Sequence, residues 1–294
     1  MALGINTDYL SDVYKPEYYL ALAADAGFTH IHWCHQWNSD FIYSDSEIAF
    51  YKKSLHSLGL VLQDVHATVG QEKLYFSDEE YRRKAGLELL VNRIRMFAEL
   101  EGTGAVALHI PSYRKGLSPE AVAEIPAQMV RVRRTLDELM PYLEKYDCAI
   151  ALENMPNEDF ECIAELMDAY PAERVGITYD SGHGNCGSCR GLDNIDKWKH
   201  RLKVLHLHDN DGSRDLHQPP FYGTVDWERA VRIIAGSGLT NLPLSFELSM
   251  VYTGYFDQES PKHQQDEKKI RAFLADAFER CSKVNEMFLK KQGE

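Results

Sequence analysis

The runs CAIALE at residues 148–153, VGITYD at 175–180 and KVLHLH at 203–208 follow one another through the middle of the chain. Each run is short and apolar and is bounded by polar residues, which is typical of a strand buried in a sheet. The segments between such runs carry apolar residues at the 3.6-residue period of a helix. Because each helical crossover returns the chain in the same direction, the three runs predict neighbouring parallel strands.

Five further runs extend this pattern towards both ends of the chain. They are ALGI (2–5), FTHIHW (28–33), LVLQDVH (60–66), AVALHI (105–110) and LPLSFE (242–247). Eight strand–helix repeats in 294 residues match an α/β protein with a (β/α)8 TIM barrel in number and length. A doubly wound open sheet is the alternative, but INTDYLSD after the first strand lacks the usual Gly-rich phosphate loop. No linker divides the chain, which predicts one barrel domain over residues 1–294.

Composition and charge limit the location and the partners of the protein. The chain has 44% hydrophobic and 26% charged residues, and no stretch approaches the roughly 18 apolar residues of a membrane span. The first residues lack the features of a secretory signal, so we expect a cytoplasmic protein with reduced cysteines. The lone C-x-x-C of Cys186 and Cys189 has no second pair, which disfavours a metal or redox role there. The net charge of −13 disfavours nucleic acid as a partner.

Seven of the eight runs end on, or close to, a side chain that can bind a metal or move a proton. These side chains are His32, His66, His109, Glu153, Asp180, His208 and Glu247. Strand side chains alternate with a period of two, so Glu153 shares a face with Ala151, and the active sites of barrels lie at the carboxyl ends of the strands. By the same alternation His206 and His208 share a face. Carboxylates crowded at that mouth repel one another unless a cation holds them, and this mixed oxygen and nitrogen set suits Mn²⁺, Zn²⁺, Co²⁺ or Fe²⁺.

At these positions the sequence resembles the xylose isomerase-like TIM-barrel superfamily. That superfamily includes sugar isomerases and epimerases, inosose dehydratases and the endonuclease IV group, also called AP endonuclease family 2. The resemblance spans nearly the whole chain and is carried by ALEN (151–154), YDSGH (179–183), HLHDNDG (206–212), DLHQPPFYGTVDW (215–227) and SFEL (245–248). It implies a metal-dependent isomerase or epimerase, or a related lyase, that acts on a sugar, a sugar phosphate or an inosose. It also suggests a homodimer.

The ketose 3-epimerase branch of the superfamily implies one divalent ion, Mn²⁺, Zn²⁺ or Co²⁺, and a role for each matching residue. The metal ligands would be Glu153, Asp180, His208 and Glu247. The residues expected to bind substrate are His183, Arg214, His217, His66 and His109. Glu153 and Glu247 are also expected to be catalytic, because one can remove the proton alpha to a carbonyl while the other returns a proton to the enediolate.

The endonuclease IV branch implies a different assignment, a phosphodiesterase that uses three Zn²⁺ ions to cleave abasic DNA. Its additional ligands would be His66, His109, His183, Asp215 and His217, with His206 as the ligand of the seventh strand. The doubled histidine of HLH fits either branch. The acidic segment MPNED at residues 155–159 counts against the nuclease because it would repel a DNA backbone. A barrel without catalysis, or one that depends on a partner, is a further alternative.

The sequence allows three roles for Asp215 and His217. Asp215 could accept backbone N–H bonds and stabilise the loop after the seventh strand. In the nuclease assignment both residues would bind a third metal. We favour a third role, in which they close the pocket beside Arg214 and bind or protonate substrate hydroxyls. The aromatic pair Phe221 and Tyr222 adds surface on which a sugar ring could stack.

Overall fold

The structure is a computed structural model that describes residues 1–11, 15–187, 191–239 and 243–293. Cys189 of the C-x-x-C pair and Leu242 at the start of the eighth predicted run lie outside these residues. The described cysteines are free, as expected for reduced thiols, and the structure buries all of them: Cys34, Cys148, Cys162, Cys186 and Cys281. Within the described ranges, none of the helices combines the length and the apolar character needed to cross a membrane.

Eight parallel strands form the centre of the molecule. They are β1 (Leu3–Asn6), β2 (His30–Trp33), β3 (Val61–His66), β4 (Val106–Leu108), β5 (Ile150–Glu153), β6 (Val175–Asp180), β7 (Leu202–His206) and β8 (Leu244–Phe246). Their order in the sheet is β7-β6-β5-β4-β3-β2-β1-β8. Just beyond β7, Leu207 pairs with Phe246, and the N–H of Leu207 donates to the carbonyl of Ser245 at 3.0 Å. This contact closes the sheet, which confirms the predicted (β/α)8 barrel.

Helices surround the barrel and cover its outer face. They are α1 (Pro16–Asp25), α2 (Asp45–Leu58), α3 (Glu80–Glu99), α4 (Pro119–Lys145), α5 (Glu161–Ala169), α6 (Ser181–Asn185), α7 (Gly191–Trp198), α8 (Trp227–Ala235) and α9 (Glu267–Gln292), with 3-10 turns at Lys199–Arg201 and Lys262–Gln264. The α4 helix begins with Ser118 as its N-cap, whose hydroxyl accepts the N–H of Ala121, and with proline at its first position. The α9 helix buries Phe273 and Leu274 in the core, because its apolar residues recur on one face.

Inside the barrel, small apolar side chains give way to polar ones towards the carboxyl ends of the strands. Ala105, Ala149, Ala151 and Val204 form a buried cluster of their own. Glu153 and His206 follow Ala151 and Val204 by two residues on β5 and β7, so the pleat places them on the same inward face. The carboxylates and imidazoles therefore converge at the barrel mouth above a small apolar floor.

Candidate metal centre

Four side chains from four neighbouring strands meet at the barrel mouth. Glu153, Asp180 and His206 are the last residues of β5, β6 and β7, and Glu247 directly follows β8. One potential ligand atom from each residue lies within 4.8 Å of the others. The first three residues are almost completely buried and Glu247 is partly buried. We call these four residues the central donor set.

Both glutamates of the central donor set face the same nitrogen of His206. Its Nδ1 lies 3.2 Å from Oε2 of Glu153 and 3.1 Å from Oε2 of Glu247. Among the residues that the structure describes, Nδ1 of His206 and Oε2 of Glu153 have no hydrogen-bond partner, although both atoms are buried. Unpaired buried polar atoms are costly, and a cation placed among them would satisfy the acceptors. The central donor set therefore fits a divalent metal ion.

The charges around this set favour the ionised form of the two glutamates. Burial by itself raises the pKa of Glu153, but the imidazoles of His206 and His109 outweigh burial and hold that pKa well below its ordinary value. Burial also raises the pKa of Glu247, but His206 lowers it by more, so this pKa too lies well below its ordinary value. Ionised carboxylates are the form that binds a metal, whereas His206 binds one only as a neutral ring, so a cation among these carboxylates would take the place of the imidazolium charge.

A second donor set lies towards β3 and β4 and shares Glu153 with the first. It consists of His66, His109 and Glu153, whose ligand atoms also lie within 4.8 Å of one another. Oε2 of Glu153 is 3.5 Å from Nε2 of His66 and 3.3 Å from Nε2 of His109. The indole of Trp37 packs against both imidazoles, with ring centres 5.0 Å and 5.5 Å away. Trp37 thus fixes one wall of the mouth.

A third donor set lies on the other side, towards the loop that follows β7. It consists of His183, His208, Asp215 and His217. Oδ2 of Asp215 is 3.2 Å from Nε2 of His183 and 2.8 Å from Nε2 of His217. The rings of His208 and His217 stack, with centres 4.1 Å apart and planes at 13°. This set thus brings together three histidines around one carboxylate.

The two histidines of the HLH motif belong to different donor sets. The epimerase pattern predicts His208 in the central donor set, whereas the structure brings His206 there. His208 lies in the third set and reaches Asp180, with Nε2 2.8 Å from Oδ1. Gly182 makes room for it, because a Cβ at that position would lie 1.8 Å from Cε1 of His208. Asp180 consequently links the central and third sets.

Asp209, which the sequence did not single out, holds the loop after β7. Its buried carboxylate accepts the backbone N–H of Phe221 at 2.9 Å and of Val225 at 3.0 Å, and the indole N–H of Trp227 at 3.0 Å. This is the loop-stabilising role considered for Asp215. Asp215 instead faces the imidazoles of the third donor set.

The remaining loop residues lie at different depths. His217, which has a φ of 48°, has Nδ1 3.1 Å from the carbonyl oxygen of Glu247 and so contacts the end of β8. Arg214 is exposed, and its guanidinium carbon lies 5.4 Å from the centre of the Tyr252 ring. His217 is therefore part of the mouth, whereas Arg214 faces an aromatic ring on the outer part of the loop.

Two more buried residues lie against the central donor set. Nδ1 of His32 is paired with Oδ1 of Asp64, and both side chains are fully buried. The sequence pattern singled out His32 among the side chains at strand ends that can bind a metal or move a proton, but it did not single out Asp64. The signal for Asp64 was present, because an acidic residue two positions before His66 in a predicted strand shares its inward face.

A cavity of about 430 Å³ opens beside the second donor set. Its lining includes His109, Trp37, Phe76, Arg114 and Leu117. Its volume falls within the range of small-molecule sites. A larger cavity of about 940 Å³ lies outside the barrel, along α3 and beside the start of α2, and is lined by none of the donor residues.

Comparisons with known proteins agree with this architecture. Residues 20–277 match the family model described as Xylose isomerase-like TIM barrel. The uncharacterized protein y4fM of Sinorhizobium fredii is 30% identical over 256 residues, which are 79% of this chain and 80% of that protein. A probable endonuclease 4 of Petrotoga mobilis is 25% identical over 163 residues, 48% of this chain and 54% of that protein. The structure of L-ribulose 3-epimerase matches with a TM-score of 0.72 at 16% identity, over 100% of this chain and 96% of that one, a likeness of fold. The chain therefore belongs to the xylose isomerase-like TIM-barrel family.

Proposed function

We propose that the protein is a divalent-metal-dependent isomerase or epimerase of a sugar, a sugar phosphate or an inosose. The observation that carries the proposal is the pair of glutamates that face one nitrogen of His206. A carboxylate held next to a substrate C–H can remove the proton alpha to a carbonyl, which adds roughly 10²–10⁴-fold in rate. Glu153 and Glu247 reach the site from β5 and β8, which lie three strands apart in the barrel, so one is placed to remove a proton and the other to return one.

The central donor set would hold the metal through Glu153, Asp180, His206 and Glu247, with Mn²⁺, Zn²⁺ or Co²⁺ as the expected ion. The ion would spread the negative charge that develops on the carbonyl oxygen, a contribution of several kcal/mol. His208 stays an alternative ligand because it also contacts Asp180. Structural neighbours such as L-ribulose 3-epimerase have names that refer to sugars, which supports a carbohydrate substrate.

Substrate binding would fall to the side chains around the central donor set. These are His66, His109, His183, His217 and Arg214. His66 and His109 border the cavity side of the mouth, where Trp37 offers an aromatic face for a sugar ring. His183 and His217 border the opposite side, where they share Asp215. A ring of hydrogen-bonding imidazoles suits a ligand rich in hydroxyl groups.

Solvent exchange tests the proposed reaction directly. The Mn²⁺-loaded protein is incubated in D₂O with a panel of ketoses, aldoses and inososes, and deuterium is expected at the alpha carbon of the substrate that turns over. Glu153→Gln and Glu247→Gln should abolish exchange, while Glu158→Gln, which changes a nearby carboxyl outside the donor sets, should retain it. Turnover that leaves the alpha C–H intact would contradict the mechanism.

A second candidate is a zinc phosphodiesterase of the endonuclease IV kind. Four groups of possible ligands overlap at the mouth, and the fourth consists of His32, His206 and Glu247. The observation that favours the phosphodiesterase is that the central, second and third donor sets are adjacent, with Glu153 shared between two of them. Three neighbouring divalent ions could clamp the oxygens of a phosphodiester. The net charge of −13 opposes it, because a DNA backbone would be repelled.

Metal counting separates the two candidates. One ion per chain, with Asp215→Ala leaving that count unchanged, supports the isomerase. Three zinc ions per chain that fall to two in Asp215→Ala, together with cleavage of a duplex containing an abasic site, support the phosphodiesterase. A folded protein that binds no ion and acts on neither class of substrate would favour a barrel without catalysis.

A further inference from the structure

Asp64 and His32 lie beneath the central donor set, on β3 and β2. Both side chains are 0% exposed. Nδ1 of His32 is paired with Oδ1 of Asp64, and the same oxygen lies 3.5 Å from Nε2 of His206. A buried carboxylate thus stands between two imidazoles, one of which belongs to the central donor set.

The two nitrogens of His206 face opposite environments. Nδ1 lies close to the carboxylates of Glu153 and Glu247, and Nε2 lies 3.5 Å from Oδ1 of Asp64 with no hydrogen-bond partner among the described residues. A neutral imidazole carries its hydrogen on only one nitrogen, and the hydrogen lies on the nitrogen that faces an acceptor behind it. Asp64 can therefore accept the Nε2–H of His206 and leave the Nδ1 lone pair pointing into the mouth.

His32 completes the arrangement by contacting both Asp64 and the donor set. Its ring lies over that of His206, with centres 4.1 Å apart, and its Nε2 is 4.0 Å from Oε2 of Glu247. By donating from Nδ1, His32 stabilises the carboxylate of Asp64, which has little other compensation in the barrel interior. The remaining Nε2 then faces Glu247.

We propose that Asp64 and His32 are positioning residues for the central donor set. Asp64 is hydrogen-bonded to Nδ1 of His32 and, with a metal held by the central donor set, would also accept the Nε2–H of His206, which would select the His206 tautomer whose Nδ1 is free to be a ligand. The proposal rests on metal binding by the central donor set and is independent of the reaction that follows. Carboxylate partners of metal-binding histidines act in this way in general, and their loss typically weakens metal affinity 10–100-fold.

The test measures Zn²⁺ affinity by competition with a chelating dye, so it does not depend on knowing the substrate. Asp64→Asn keeps the volume of the side chain and is expected to weaken Zn²⁺ binding about 10–100-fold. His32→Phe keeps a ring but removes both nitrogens, and we expect it to weaken binding in the same direction. The matched control is Thr178→Val, which removes a buried barrel hydroxyl that donates to the carbonyl of Ala151 and should leave the affinity unchanged.

A spectroscopic measurement on the unaltered protein covers the case in which Asp64→Asn fails to fold. Long-range ¹⁵N–¹H correlation of histidine-labelled, Zn²⁺-loaded protein should show His206 with its hydrogen on Nε2. A hydrogen on Nδ1, or an unchanged Zn²⁺ affinity in folded Asp64→Asn, would overturn the proposal. Failure to bind Zn²⁺ at all would overturn both this proposal and the metal centre. Tight Zn²⁺ binding without proton exchange would contradict only the proposed reaction.

Discussion

Replacement of Asp209 by asparagine tests the loop that carries the third donor set. Oδ1 of Asp209 accepts the N–H of Asn210 at 2.9 Å and of Val225 at 3.0 Å. Oδ2 accepts the N–H of Phe221 at 2.9 Å and the indole N–H of Trp227 at 3.0 Å. Asparagine has nearly the same shape, but one of its two terminal groups is an NH₂ that cannot accept. Two of the four hydrogen bonds are therefore lost, whichever way the amide is turned.

The size of the effect follows from the number and kind of these hydrogen bonds. A hydrogen bond to a charged group contributes about 1.5–3 kcal/mol, so losing two costs about 3–6 kcal/mol of the free energy of unfolding. That is a large share of the roughly 5–15 kcal/mol by which proteins are stable. At roughly 2.1 cal/mol/K of unfolding entropy per residue, a chain of 294 residues shifts by about 1.6 °C per kcal/mol, which predicts a melting temperature lower by about 5–10 °C.

Thermal unfolding followed by circular dichroism and by calorimetry measures this change. The matched control is Asp211→Asn on the same loop, because Asp211 is exposed and its partner among the described residues is Ser213, whose N–H and hydroxyl both donate to Oδ1. We expect this control to stay within about 0.5 kcal/mol of the unaltered protein. If Asp209→Asn melts within about 2 °C of the unaltered protein, the buried carboxylate does not hold the loop and the reasoning is refuted.

Three further predictions concern pH, packing and assembly. Burial raises the pKa of Glu158 from its ordinary value of 4.5 to about 7. Between these two pH values the folded chain keeps a proton that the unfolded chain releases, so the free energy of unfolding falls as the pH rises from 4.5 to 7. Glu158→Gln should therefore stabilise the protein by about 1–2 kcal/mol at pH 8 and leave it unchanged at pH 4, as measured by urea unfolding; equal effects at both values would contradict this. Gly182→Ala should displace His208 and cost about 1–3 kcal/mol in thermal unfolding, whereas Gly254→Ala, which meets open space, should be neutral; a neutral Gly182→Ala would show that the ring of His208 can move away. We also expect a homodimer, so light scattering at micromolar concentration should return twice the mass of one chain and not the mass of one.

Much of the fold could be predicted from local pattern. Every predicted strand overlaps an observed one, and the run VGITYD is a strand from Val175 to Asp180. The reason is that apolar runs, helical periods and their alternation are properties of short segments, and parallel pairing follows once a helix separates each pair of strands. The same period of two predicted that Glu153 and His206 face inwards.

Local pattern was therefore enough to predict the barrel and the list of side chains at its mouth, but not how those side chains are grouped. Periodicity puts His206 and His208 on one face and cannot choose between them. The tertiary structure separates them, because Leu207 pairs with Phe246 to close the barrel and leaves His206 at the end of β7, while Gly182 of the neighbouring element makes room for His208. Asp64 and Asp209 are further cases, since their partners come from distant parts of the chain. Which atoms meet across a barrel depends on closure and packing between strands far apart in sequence, and no local pattern records those distances.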